Sequence, residues 1–331
     1  MAYVRTVLLL VLGLLVLLPA SVSAQPADIR TIVCPGAAST MAAGINDAGR
    51  AVGVYFDVLP IALGGFHGFI WEGGGCEPIP GLPDGWIPMA LNDAGHVVGI
   101  YVVPSPSEVR GFLYRRGQVM DLLCPATETE ECVAWPGGIN NRGQIAGWYE
   151  IEGPDRPFMW EDGSYVAPAE LPWPHITVRA HSINSRGDIV GEFYPGFTSP
   201  PHITYGYLWP KDGTPVRVGF PIAGNTPKFA KTTVPAAVNH RGDVVGYFYE
   251  SMYNDDPSLD GVLAGPCRGF FRDRDGAMTE LKVPGATYTC PAGINAAGEV
   301  SGVYTMDAAE TPLAMINWRG FVAKLKALVV R

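Results

Sequence analysis

The sequence predicts an all-β protein, a six-bladed β-propeller of four-stranded antiparallel blades. Three observations carry this expectation. The stretch "GINDAGRAVGVY" at 44–55 returns as "ALNDAGHVVGIY", "GINNRGQIAGWY", "SINSRGDIVGEF", "AVNHRGDVVGYF" and "GINAAGEVSGVY". Its asparagine falls at 46, 92, 140, 184, 239 and 295, a spacing of 44 to 56 residues; propeller blades repeat every ~40–50 residues. A second β-rich run ending in a polar turn follows five of the copies: "GFIWEGGG", "GFLYRRGQ", "PFMWEDGS", "GYLWPKDG" and "GFFRDRDG". Two successive hairpins make a four-stranded meander, which is one blade.

The chain opens differently. Arg5, an apolar run to Leu18, then Pro19 and the small residues Val22-Ser23-Ala24 have the layout of a secretory signal, with cleavage after Ala24. The expected division is a signal peptide over 1–24 and a single propeller domain over 25–331. The apolar run is short for a membrane span, which needs ~20 residues.

Within each unit the first hairpin turns on an Asn with a Gly three residues later: Asn46 and Gly49, Asn92 and Gly95, Asn140 and Gly143, Asn184 and Gly187, Asn239 and Gly242, Asn295 and Gly298. Asn suits the first position of a type I turn and Gly the left-handed residue after it, giving a three-residue loop with a G1 bulge. Ile45 then faces Ala51, Leu91 faces Val97, and Ile139, Ile183, Val238 and Ile294 meet Ile145, Ile189, Val244 and Val300. All six pairs are apolar, as cross-strand neighbours on a buried face should be. The second Gly of each copy (53, 99, 147, 191, 246, 302) predicts a backbone or a ring lying across it.

The ends predict closure. The last unit, "RGFVAKLKALVV", lacks the turn glycine of the second hairpin, which leaves its fourth strand in doubt. Near the start, "RTIVCPGAASTMAAGIN" matches "TELKVPGATYTCPAGIN", which spans the fourth strand of the fifth unit. Residues 30–34 therefore read as an orphan fourth strand that completes the sixth blade and removes the exposed edges. An open stack of the same units is the alternative.

The repeated unit "IN..G.VVG.Y" followed by "GFLW..G" resembles the HAF repeat, a family of extracellular bacterial repeats. The resemblance spans nearly the whole chain after the signal. It implies secretion and a β-repeat fold, and it assigns no functional residues. Pro157 departs from the pattern, standing where the other units have Gly.

Composition narrows the function classes. The 331 residues include 23 Lys and Arg against 32 Asp and Glu, for a net charge of −9. Nucleic acid and anionic membranes need a clustered cationic face, so neither is an expected partner. A monomer with an extracellular ligand is the expectation, in a secreted or periplasmic setting. Six cysteines in an oxidising compartment favour disulfides. Cys124 with Cys132 is the nearest pair, Cys267 with Cys290 is next, and Cys34 with Cys76 follows by elimination.

Chemistry-bearing motifs are sparse. No CxxC or Cys/His spacing marks a metal site, and no hydrolase, zincin or nucleotide fingerprint is present. Asp256, Ser258 and Asp260 begin a calcium-loop pattern, but Cys267 stands where the closing acid belongs. Arg-Gly-Asp occurs at 186–188 and 241–243 on the repeat's own turn, where turn chemistry accounts for it. His96 and His240 lie at turns, where exposure is expected. His175, His181 and His202 gather around the fourth unit with Glu170 and Arg179. Trp86, Trp135 and Trp173, placed in connectors, could stack on sugars or pack on proline-rich loops. The long variable segments 124–137, 194–205, 221–236, 249–268 and 305–319 share one rim, where binding groups are expected. These features point first to a secreted, non-catalytic binding propeller for a carbohydrate, protein or envelope ligand. A glycan hydrolase or lyase and a structural or adhesive protein are the alternatives.

Overall fold

A computed structural model describes residues 26–57, 65–104, 107–124, 132–150, 154–166, 171–175, 177–196, 204–221, 229–252, 267–307 and 317–325. The expected signal peptide, the calcium-loop residues Asp256, Ser258 and Asp260, and His202 and Glu170 lie outside them.

The first strand, β1 (Pro26–Ile32), belongs to the last blade. Blade 1 is β2 (Ser39–Ile45), β3 (Ala51–Phe56), β4 (Phe66–Glu72) and β5 (Gly75–Pro78). Blade 2 is β6 (Trp86–Leu91), β7 (Val97–Pro104), β8 (Ser107–Arg115) and β9 (Gln118–Leu122). Blade 3 is β10 (Val133–Ile139), β11 (Ile145–Glu150), β12 (Arg156–Glu161) and β13 (Ser164–Val166). Blade 4 is β14 (Thr177–Ile183), β15 (Ile189–Tyr194), β16 (Tyr205–Trp209) and β17 (Val216–Val218). Blade 5 is β18 (Phe229–Val238), β19 (Val244–Met252), β20 (Arg268–Arg272) and β21 (Met278–Leu281). Blade 6 is β22 (Tyr288–Ile294), β23 (Glu299–Thr305), β24 (Arg319–Leu325) and then β1. The protein is a six-bladed β-propeller. The first strands of successive blades touch one another around the axis, with β22 returning to β2.

Closure follows the expected route with a longer strand. β1 runs antiparallel to β24 from Pro26↔Leu325 to Ile32↔Gly320, so pairing begins four residues earlier than position 30 and stops before Cys34. The three disulfides are Cys34–Cys76, Cys124–Cys132 and Cys267–Cys290. The first joins the end of β1 to blade 1, and the last joins blade 5 to the innermost strand of blade 6. The closing blade is thus covalently tied to both neighbours.

All six apolar hairpin pairs are in register, from Ile45↔Ala51 to Ile294↔Val300. The Gly49 N–H donates to Asn46 O at 3.0 Å, and the same bond recurs in the other five turns. The asparagine does more than begin a turn. Its Oδ1 accepts the N–H four residues on at 2.9–3.0 Å. Its Nδ2 donates to the backbone oxygen of the equivalent asparagine in the next blade. The chain of bonds runs Asn46 to Asn92 (3.2 Å), Asn140 (3.0 Å), Asn184 (2.9 Å), Asn239 (2.8 Å), Asn295 (3.2 Å) and back to Asn46 (3.0 Å). All six side chains are buried. A carboxamide carries both a donor and an acceptor, which Ser, Asp and Ala cannot supply in this geometry.

Each first strand also carries a bulge that the sequence reading did not include, for example between Pro136 and Gly138 in blade 3. The bulge bends the strand and presses its carbonyl onto the second glycine. A Cβ on Gly147 would collide with Trp135 O and lie 2.7 Å from Phe158 Cζ. Both expected neighbours, a backbone and a ring, are therefore present. The ring comes from the third strand: Phe69, Phe112, Phe158, Tyr207, Phe270 and Phe321, all at 0–1% exposure. Each such burial contributes about 2–3 kcal/mol.

Candidate ligand-binding site

The six first strands enclose an axial cavity of about 100 Å³, below the ~300–1,000 Å³ of ordinary ligand pockets. Around it the first strands of neighbouring blades pack backbone to backbone: a Cβ on Gly137 would lie 2.6 Å from His181 O. The axis therefore holds the ring together, and a ligand needs a different place.

Internal comparison of the blades finds one. The residue five before each asparagine pairs across the sheet with the residue just after the second glycine. In blades 1, 2 and 6 these pairs are Met41↔Val54, Ile87↔Ile100 and Cys290↔Val303. In blades 3, 4 and 5 they are Trp135↔Trp148, Arg179↔Glu192 and Val234↔Tyr247. Val54, Ile100 and Val303 are buried, whereas Trp148, Glu192 and Tyr247 are half-buried. A position serving the ring alone would stay alike in all six blades. This one changes from apolar to aromatic and charged in three consecutive blades.

The side chains of blades 3 and 4 converge. Trp135 and Trp148 lie directly opposite each other on β10 and β11, and their rings stack with centroids 5.9 Å apart and planes within 1°. The Trp135 Nε1–H donates to Glu150 Oε2 at 3.2 Å. From blade 4, the Arg179 guanidinium carbon stands 5.7 Å from the centre of the Trp148 ring. Its Nε–H donates to Asp155 Oδ2 at 2.6 Å, and Nη1 is 3.6 Å from Glu192 Oε1. Asp155 is held in turn by its own backbone oxygen, which accepts the Val178 N–H at 3.1 Å.

His181 occupies the bulge of β14, where blades 3, 5 and 6 carry the small residues Gly137, Ala236 and Ala292 and blade 2 carries Met89. Its Nε2 is 3.7 Å from Glu192 Oε1, and its Nδ1 lies 3.1 Å from Pro235 O in blade 5. Its ring meets Trp148 edge-on at 5.7 Å. Beneath the cluster, the Tyr207 hydroxyl donates to Arg179 O at 3.1 Å. Burial first, and then the Glu192 charge, push the Tyr207 pKa up, so the hydroxyl stays protonated. Asp155 and Glu150 belong to the rim of the interstrand loops, which places the cluster at the end opposite the asparagine turns.

No protein-family model and no curated protein matches the sequence. Solved structures resemble it in outline. TolB from Acinetobacter baumannii has a TM-score of 0.48 at 10% identity, covering 86% of this chain, and this chain spans 64% of that one. A gluconolactonase from Xanthomonas campestris scores 0.46 at 13% identity, covering 93% of each chain. The β-propeller domain of the Trilobed protease from Pyrococcus furiosus scores 0.44 at 10% identity, covering 89% of this chain and 99% of that one. At such distances none bears on ligand or activity.

Of the residues singled out in the sequence, the structure brings together Trp135, Arg179 and His181. Trp86 and Trp135 lie in first strands and not in connectors, because apolar pairing extends the strands over them. Trp86 stacks on Tyr101 at 3.9 Å and is a packing residue. Trp173 does lie in a connector and stacks on Phe193 at 5.2 Å. His175 stands apart, with its Nδ1 2.7 Å from Trp173 O. His240 is exposed, but His96 is half-buried, and burial followed by Arg115 and Arg116 lowers its pKa.

The Arg-Gly-Asp tripeptides are internal turn chemistry. Arg186 Nε–H donates to Asp188 Oδ2 at 2.8 Å, while Asp188 also takes the Asn184 amide at 2.8 Å. Burial alone raises the Asp188 pKa. The Asn184, Lys211 and Arg186 donors outweigh it and hold the carboxyl below its usual range. Sequence reasoning missed Trp148, Glu192, Glu150 and Asp155. The signal for the first two was present in the repeat, as the column reading Val, Ile, Trp, Glu, Tyr, Val between the second glycine and the closing aromatic.

Proposed function

We propose that the protein is a secreted or periplasmic binding propeller of the HAF-repeat type, whose ligand docks on the wall built by blades 3 to 5. The observation that carries this reading is the break in internal symmetry at Trp148, Glu192 and Tyr247. Binding groups concentrate on segments held by a rigid scaffold, and side chains that break the repeat are not explained by the packing the repeat shares. Three disulfides suit an oxidising compartment, and the segment 1–24 supplies the export signal.

Titration calorimetry against defined glycan and peptide panels tests the site. Trp135→Ala and Glu192→Gln should each weaken the ligand about tenfold, since each removes one stacking or charged contact. Met41→Ala, at the equivalent position of blade 1, should leave it unchanged. Equal losses in all three variants, or in none, would reject the assignment.

An enzyme is the second reading, favoured by His181 beside Glu192 at 3.7 Å with Arg179 next to both. It predicts shortened or newly unsaturated glycan products. It also predicts that His181→Ala abolishes turnover while binding persists.

A further inference from the structure

We propose, resting on the site just assigned, that its ligand is a neutral glycan seated on Trp135. Three features of the wall select this chemistry. The first is a fixed flat platform. Trp135 lies on the innermost strand, with one face against Trp148 and its indole N–H tied to Glu150. A ring held at both points loses little freedom when a ligand arrives. An indole face matches the C–H face of a pyranose, and an aromatic platform needs few rotatable bonds to do so. A compact apolar molecule would instead need an enclosed apolar pocket, whereas this platform is ringed by Glu150, Glu192, Arg179 and His181.

The second feature is the polar fringe. Glu150, Glu192, Arg179 and His181 surround the two indoles with planar groups. Carboxylates accept from sugar hydroxyls, guanidinium donates to them, and imidazole can do either. Vicinal hydroxyls on a pyranose present matching pairs, so both the face and the edge of one sugar are served.

The third feature is charge. Arg179 is the cluster's one guanidinium, and it already faces Asp155 at 2.6 Å and Glu192 at 3.6 Å. With Glu150 there are three carboxylates to one guanidinium, on a chain of net charge −9. A uronate or sulfated polymer brought here meets uncompensated negative charge, and like-charge juxtaposition opposes binding. A glycan without acidic groups avoids it.

Calorimetry with the exported full chain provides the test. The probes are cello-, manno-, malto- and N-acetylglucosamine hexasaccharides, with alginate and polygalacturonate as the anionic arm, each to about 10 mM so that weak binding registers. At least one neutral hexasaccharide should bind and the two polyuronates should not. Trp135→Ala should lower that affinity about tenfold, the worth of one stacking contact. Trp135→Phe, which keeps a ring and the fold, should recover most of it. Thermal unfolding of both variants confirms that they fold.

Polyuronate binding that depends on Trp135, without neutral binding, would overturn the ligand class and leave the site standing. Neutral binding indifferent to Trp135 and to Glu192→Gln would overturn the site itself. No binding by any probe would overturn the glycan inference, and the peptide panel then decides the site.

Discussion

At the scale of single residues, the ring asparagines do the most for their size. Asn140 donates from Nδ2 to Asn184 O at 2.9 Å and to Gln144 Oε1 at 2.8 Å. Its Oδ1 accepts the N–H groups of Arg142 and Gln144 at 3.0 Å. The side chain is buried, so cutting it to alanine strands partners that water cannot reach. The cost of stranding each buried group is about 1–3 kcal/mol. Asn140→Ala should therefore destabilise by about 2–4 kcal/mol in urea unfolding. Asn140→Asp should do no better at neutral pH, since it keeps the acceptor, loses the donor and sets a carboxylate against the Asn184 carbonyl. A loss under 0.5 kcal/mol for both, the usual size for a surface change, would mean that the hydrogen-bonded ring is not holding the blades. The sequence showed that Asn was required six times and supplied the turn as a reason. It could not show the bond to the next blade, because that partner is 44 to 56 residues away in five cases and 249 in the sixth, and comes into reach only when blades pack side by side.

At the scale of the hairpin, two glycines four residues apart have different physical duties. Gly143 is a turn residue with φ of 83° and open space where a Cβ would go. Alanine there meets only the left-handed backbone penalty, about 1–2 kcal/mol. Gly147 lies in the strand, where a Cβ would run into Trp135 O and Phe158. One of the two layers must move, and overpacking of this kind costs about 1–3 kcal/mol or more. Gly147→Ala should thus lower the unfolding midpoint more than Gly143→Ala, and it should disturb Trp135, whose carbonyl is the obstruction. Tryptophan fluorescence should shift with the first substitution and not with the second; the opposite ranking would refute the close approach. Blade geometry was legible at this scale because hairpin register and strand glycines are local rules of period two. The site was less legible for a related reason. Repeats draw the eye to what recurs, while Trp148 and Glu192 matter by failing to recur. Asp155, from a loop outside the repeated motif, had no pattern to break.

At the scale of the whole molecule, closure is a covalent as well as a hydrogen-bonded device. β1 joins β24 across nearly the full length of the chain, and long-range pairing of that kind is costly in loop entropy. Its ladder is also irregular between Ala27 and Arg30, where Asp28 takes a φ of 50°. The end of this strand is where Cys34 bonds to Cys76, and the other side of blade 6 is bonded by Cys267–Cys290. The cysteine spacing alone left this pair to elimination, since nothing local marks a contact between blades. Chain-entropy estimates rank the bridges by loop length. The separation of 42 residues for Cys34–Cys76 corresponds to about 4 kcal/mol, against about 2.5 kcal/mol for the 8 residues of Cys124–Cys132. Location adds to length, because Cys124–Cys132 only shortens the connector by which the chain already joins blades 2 and 3, away from the closing blade. Replacing both Cys34 and Cys76 by serine should therefore lower stability more than the same change at Cys124 and Cys132. Only the first pair should also release β1, seen as faster amide exchange over 26–32 while β10 to β13 keep their protection. Equal losses in the two variants, with β1 exchange unchanged, would mean that the ladder to β24 suffices and that the bridge is incidental to closure.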